Sequence, residues 1–202
     1  VNVSYALAYR FGITPWEHAM AAGAGQFAAL LDREEAERVP PFGHALDLGC
    51  GTGTHAVQLA GRGWEVSAVD AVPSAVRRTR ERAVGHGVDV DALEDDVTAL
   101  DPARVARPVD FFLDAGCFNG LRRTQRAALG RGVTACAAPR ATLLVLAFEP
   151  GHRGPLPRGA SRSDVTWAFP GWDVVAQDVA DSRGFPAPLR DTGPQWYRLR
   201  RR

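Results

Sequence analysis

The chain has 202 residues, 46% of them hydrophobic, which suits one globular domain with a full core and little beyond it. Its 24 basic residues, all arginine, face 23 acidic ones, and a net charge of +1 leaves no field to draw it onto nucleic acid or a membrane, so neither is expected as a partner. Cys50, Cys117 and Cys136 show no C-x-x-C spacing, which argues against a metal site or a disulfide framework; with no long apolar run and no secretory segment, a reduced, soluble, cytoplasmic protein is expected.

In chain order, residues 1–44 read as helical pieces. Trp16, Met20, Phe27, Leu30 and Leu31 give an apolar face interrupted by Gly23 and Gly25, and Pro40-Pro41 ends the region. A regular alternation follows: strand 45–48, helix 54–62 stopped by Gly63, strand 65–70, and an amphipathic helix over 73–85. Arg77, Arg78, Arg80 and Arg82 of that helix are expected on a solvated face. Strand 88–93, strand 109–113, helix 121–138 and strand 142–148 continue the pattern. Residues 150–171 are rich in proline and glycine and predict a long loop or lid, in which Ser161 and Asp164 have the spacing to cap a short helix. Strands 172–178 and 195–201 close the chain, with Arg198, Arg200, Arg201 and Arg202 expected as solvated guards on an edge strand.

Strands alternating with helices imply right-handed parallel βαβ units, which bring the carboxyl ends of the strands to one rim where ligands of open α/β sheets bind. Asp47, Asp70, Asp96, Asp114 and Glu149 fall at that rim. The first strand runs through Asp47 into Gly49-Cys50-Gly51-Thr52-Gly53, a turn that lets backbone approach a ligand where any Cβ would collide. The turn also opens a helix, whose first N–H groups have no partner inside the helix. Asp70, at the end of the second strand, has the placement of a ribose-binding acid. A dinucleotide fingerprint is excluded because Thr54 stands where its third glycine belongs, and a phosphate-cradling P-loop is excluded because the chain has no lysine.

The remaining pattern, D-x-G-x-G-x-G over Asp47–Gly53, resembles motif I of the class I S-adenosylmethionine-dependent methyltransferases, and Val69-Asp70 resembles their ribose-binding motif II. The resemblance implies an α/β, Rossmann-like, doubly wound and mostly parallel seven-stranded sheet with helices on both faces and its last strand antiparallel. It implies S-adenosyl-L-methionine as the cofactor. Asp47 with Gly49, Cys50, Gly51 and Gly53 would hold its amino-acid part, Asp70 with Ala71 the ribose, and Asp96 with Val97 the adenine. Asp114 and Ala115, in the Asp110–Asn119 stretch that resembles motif IV, would lie beside the sulfonium, whose charge would keep the Asp114 pKa low and leave it an electrostatic support. The chain is then a single methyltransferase domain over 1–202: an N-terminal cap or lid (1–44), a cofactor-binding core (45–148), and a lid loop with the last two strands (149–202).

On the acceptor side, Thr14-Pro15-Trp16-Glu17 resembles the segment ahead of motif I in the thiopurine and thiol/halide methyltransferase group, where the tryptophan covers the cofactor. Tyr5, Tyr9, Phe11, Trp16 and Phe118 are candidates for an apolar pocket. A small-molecule acceptor presenting a thiol or another soft nucleophile is expected, since a thiol already supplies some thiolate near neutral pH. The rival is an O- or N-methyltransferase of secondary metabolism using His18 or His152 as base, and a further rival is a partner protein that binds the cofactor without turnover. His55 is expected as a helix cap, and Cys117 as either a nucleophile or, more simply, a packing residue. The oligomeric state is not legible.

Overall fold

A computed structural model describes residues 23–105, 107–152, 157–185 and 187–202. The expected doubly wound α/β architecture is present. Seven strands, β1 (His44–Leu48), β2 (Glu65–Asp70), β3 (Asp91–Glu94), β4 (Val109–Asp114), β5 (Ala137–Ala147), β6 (Trp172–Val179) and β7 (Gln195–Arg201), form one sheet in the order β3-β2-β1-β4-β5-β7-β6. β1 to β5 pair in parallel, and β7 runs antiparallel between β5 and β6. The chain reverses direction across the sheet between β1 and β4, the switch point at which such sheets open a ligand crevice.

The helices are α1 (Ala24–Glu35), α2 (Thr54–Gly61), α3 (Pro73–His86), α4 (Arg123–Cys136), α5 (Arg162–Ala168) and the short α6 (Ala187–Arg190). They cover both faces, so central strands are apolar on both sides. Consecutive Phe111 and Phe112 divide accordingly: Phe111 joins Phe27, Leu31, Trp64 and Trp196 on one face, and Phe112 joins Leu129, Val133, Phe169 and Trp172 on the other. As expected, Ser161 and Asp164 close a capping box on α5.

Several expectations need correction. β3 is shorter than 88–93, because α3 continues to His86 and Gly87, in the left-handed region (φ 66), must first turn the chain. β5 starts at Ala137 rather than 142. α4 runs into it without a loop, and the apparent break at Pro139-Arg140 is an irregularity within the strand, with Arg140 at φ 60. The terminal arginines do not guard an edge, since β7 is an interior strand. Arg198 is buried and meets Glu34 of α1 at 2.5 Å and Glu37 at 2.8 Å, while Arg200 reaches Glu37 at 2.5 Å. Glu34, itself buried, also accepts from Arg38 and from Thr142 of β5. These ion pairs, with Phe27 and Leu31, bolt α1 to the sheet. Arg198 and Arg200 beside Glu37 hold its carboxyl down at about 2.

Candidate cofactor and methyl-transfer site

The glycine turn has the backbone its sequence demands. Gly49, Gly51 and Gly53 all adopt positive φ (72, 57 and 78°). The Gly49 and Cys50 N–H groups both donate to the Val69 carbonyl of β2, at 2.8 and 3.0 Å. Two glycines are also sterically required: a Cβ on Gly49 would lie 2.7 Å from Cys117 Cβ, and one on Gly53 would lie 2.6 Å from Thr79 Cγ2. The Thr79 hydroxyl donates to the Gly51 carbonyl at 3.1 Å, and Arg82 Nε donates to the Thr52 carbonyl at 2.8 Å. Arg82 is therefore a brace for the turn rather than part of a solvated face, and Thr79 is buried beneath it.

Three acids gather at the ends of adjacent strands. Asp47 is 2% exposed and its Oδ2 is buried with no hydrogen-bond partner among the described residues. Burial, reinforced by the charges of Asp114 and Asp70, pushes its pKa up to about 8. Asp70 accepts from Gly51 N–H at Oδ2 (3.0 Å) and from Val72 N–H at Oδ1 (2.9 Å), which ties the end of β2 to the turn. Burial raises its pKa against those bonds. A carboxylate can accept about four hydrogen bonds, so Asp70 keeps acceptor capacity for a ribose hydroxyl. Asp96 is not at the end of a strand: it follows β3 and caps the 3₁₀ turn Val97–Ala99, its Oδ1 accepting from Thr98 N–H (2.8 Å) and Thr98 Oγ1 (2.7 Å), with Val97 buried beside it.

Asp114 is fully buried at the end of β4, beside β1. Its oxygens accept from Gly116 N–H and Phe118 N–H, each at 3.0 Å. The expected low pKa is not a property of the protein alone: burial raises it to about 6, opposed by those backbone bonds and by the Arg126 charge. Only an added positive charge would bring it down.

This constellation fits S-adenosylmethionine. An orphaned, buried carboxyl oxygen amid mutually repelling carboxylates calls for a cation, and the cofactor carries two, an ammonium and a sulfonium. Asp47 and the Gly49–Gly53 turn would hold the amino-acid part, Asp70 and Ala71 the ribose, Asp96 and Val97 the adenine, with Asp114 and Ala115 beside the methyl. Among the described residues no cluster of three or more His, Cys, Asp or Glu side chains could hold a metal, and no helix is long and apolar enough to cross a membrane.

The remaining candidates fare differently. Trp16, Glu17, His18, Tyr5, Tyr9 and Phe11 lie outside the described residues. His152 is exposed just after β5. His55 is no cap: Gly53 precedes α2 with no side-chain cap bond, and the buried His55 ring packs edge-on to Phe27 at 4.5 Å, with burial lowering its pKa to about 4. Phe118 is fully buried against Phe169 and lines no open pocket. Cys117 packs against Gly49, and burial with the charges of Asp114, Asp70, Asp96 and Asp47 pushes its thiol up, which favours the packing reading over the nucleophile.

Two residues were not singled out from the sequence. Asn119 is buried, donating to the Leu146 carbonyl (2.9 Å) and accepting from Phe148 N–H (3.2 Å), which joins the ends of β4 and β5. Arg126 is buried on α4. Its signal was available: it shares the stripe of Leu129, Gly130, Val133 and Cys136, where a charge is out of place.

Comparison with known proteins agrees with this geometry. Residues 45–140 match a family described as "Methyltransferase domain". The N-methyltransferase NodS from Bradyrhizobium japonicum, solved with S-adenosyl-L-homocysteine, superposes with a TM-score of 0.69 at 18% identity, covering 88% of this chain and 86% of its own. A protein solved in a study of the conversion of a disulfide bond into a thioacetal group during echinomycin biosynthesis gives 0.67 at 24% identity, covering 86% and 81%. The glycopeptide N-methyltransferase MtfA, solved with S-adenosyl-L-methionine, gives 0.62 at 18%, covering 83% and 91%. In sequence, 61 residues are 38% identical to the ribosomal RNA small subunit methyltransferase C of Alcanivorax borkumensis, a match spanning 30% of this chain and 19% of that protein. Residues 45–140 thus resemble a methyltransferase domain, and the fold is the one seen in NodS and MtfA.

Proposed function

We propose that this chain is an S-adenosylmethionine-dependent methyltransferase that acts on a small molecule through a thiol or another soft nucleophile. One observation carries the reading: among the described residues no histidine is placed to serve the acids of the transfer site as a base. Among the described residues no histidine bonds Asp47, Asp70 or Asp114, and both Asp114 oxygens are taken by backbone N–H groups. An oxygen acceptor wants a base with a pKa near neutrality, whereas a thiol ionises with little help.

The bound cofactor supplies an electrophilic methyl on a sulfonium. The protein's contribution is placement and charge. The turn and Asp47 would anchor the amino-acid end of the cofactor and Asp70 its sugar. Asp114, held by Gly116 and Phe118, would support the sulfonium electrostatically rather than act as a base. An anionic acceptor meeting a cation loses charge as the bond forms, so a desolvated site favours that transfer. The Thr14–Glu17 resemblance to the thiopurine and thiol/halide group, and the sulfur chemistry named for the echinomycin-pathway neighbour, support the same acceptor class.

A second reading has its own support. NodS and MtfA are N-methyltransferases, and His152, the candidate base for an amine or hydroxyl acceptor, is exposed in the chain after β5. Turnover over matched thiols, phenols and amines, measured as S-adenosylhomocysteine release, separates the two. The thiol reading expects thiol turnover that survives His18→Ala and His152→Ala. Turnover confined to phenols or amines, and lost in one of those variants, would overturn it.

A further inference from the structure

Arg126 makes contacts that neither packing nor solubility explains. Buried at 8% exposure on α4, it donates through Nε to the Phe118 carbonyl (3.3 Å) and through Nη2 to the Gly159 carbonyl (2.6 Å). Its Nη1 faces Asp164 of α5 at 3.4 Å, and its guanidinium lies 4.8 Å from the Phe118 ring centre. The two carbonyls belong to different segments, the turn after β4 and the chain beyond β5. The Phe118 N–H holds Asp114, so Arg126 grips the far side of the residue that positions that carboxylate. Gly159 is where the chain beyond β5 returns: its N–H donates to the Asn119 carbonyl, and a Cβ there would lie 2.4 Å from the Phe148 carbonyl oxygen. α4 also meets α5 without slack, since a Cβ on Gly130 would lie 1.9 Å from the Ala168 carbonyl oxygen.

We propose that Arg126 is a positioning residue for methyl transfer, locking the Asp114 turn to the returning 157–160 segment so that the two are held as one unit. A planar fork suits this work, because one cation satisfies two carbonyls in fixed directions while leaving its charge near Asp114; an ammonium would supply the charge without the fork. The inference stands on the cofactor site and is independent of the acceptor's chemistry.

The groups facing Asp114 are Asp47 from β1, Arg126 from α4 and the Cys117 thiol of its own turn. The test follows the Asp114 carboxyl resonance by NMR as pH is varied in wild type, Arg126→Lys and Arg126→Met, with S-adenosylhomocysteine affinity measured by calorimetry on the same samples. In Arg126→Met the Asp114 midpoint should rise and affinity should fall about tenfold or more, the loss that accompanies a misplaced binding group. In Arg126→Lys the midpoint should return toward wild type while the affinity recovers only in part. Wild-type midpoint and affinity in Arg126→Met would overturn the proposal, as would a loss equal in both variants with no change in midpoint. Should Arg126→Met not fold, Arg126→Lys decides alone: weakened affinity at a normal midpoint supports the role, and wild-type affinity refutes it. A wild-type protein that takes up no S-adenosylhomocysteine would be a failure of the cofactor site itself, visible before any variant is compared.

Discussion

Replacing Asp47 with asparagine should stabilise the cofactor-free protein while destroying cofactor binding. The Asp47 carboxyl titrates at about 8 in the folded chain against an ordinary value of 3.8, so the folded state binds its proton more tightly than the unfolded state does. Stability from this group is complete below the unfolded value and drains away as pH rises toward about 8. At pH 7 the loss amounts to roughly 4 kcal/mol, taking about 1.4 kcal/mol for each pH unit above the unfolded value. Asparagine has the same shape and cannot ionise, so it escapes that loss. It still buries an amide short of partners where Oδ2 stood, which takes back about 1–3 kcal/mol. A net gain of about 1–3 kcal/mol corresponds to a rise in Tm of roughly 3–10 °C for a chain of this size. Thermal melts across the pH range should show the variant's advantage widening from acid to alkaline conditions, vanishing at about pH 4.5–6 and reversing below that, where only the cost of the amide is left. S-adenosylmethionine should raise the wild-type Tm and leave the variant's unchanged, because the cation has lost its anion. A variant that melts below wild type at pH 8, or that keeps its response to the cofactor, would refute the account of Asp47.

The same carboxyls predict that cofactor binding expels protons: titrations near pH 7 in buffers of different ionisation enthalpy should report net release, and equal heats in every buffer would contradict it. Gly53→Ala should lower stability and weaken cofactor affinity together, since its Cβ would strike Thr79 and its φ of 78° disfavours alanine; a cost below about 1 kcal/mol by denaturant melts would count against that clash. Glu34→Ala should cost about 3–5 kcal/mol by leaving the buried Arg198 short of an anion, without altering cofactor affinity in the protein that remains folded, and a Tm within a degree or two of wild type would show that cluster to be dispensable.

The parallel core was legible because its signals are local. Gly49–Gly53 has to bend where it does, and Asp47, Asp70 and Asp114 end apolar runs, so the rim followed from strand order alone. What escaped depended on partners distant in sequence. Arg198 reads as a surface arginine until Glu34, 164 residues earlier, is placed against it, and β7 reads as an edge until β6 pairs outside it. The low pKa expected for Asp114 belongs to the state with a sulfonium beside it, whereas burial raises it in the protein by itself. Pro139 hid the first residues of β5, because a proline followed by a residue at positive φ looks like a break unless the neighbouring strand is known. Arg82 was read from the polar face of its helix, but its length lets it reach back to Thr52.

The central claim is that the turn after β1 and Asp70 together grip S-adenosylmethionine. Calorimetric titration of S-adenosylhomocysteine into wild type, Asp70→Asn and Asp70→Ala tests it most directly. One equivalent should bind to wild type, with affinity reduced about tenfold or more in both variants, since each loses charged acceptors for the ribose hydroxyls. No uptake by the wild-type protein, or equal uptake by all three, would contradict it.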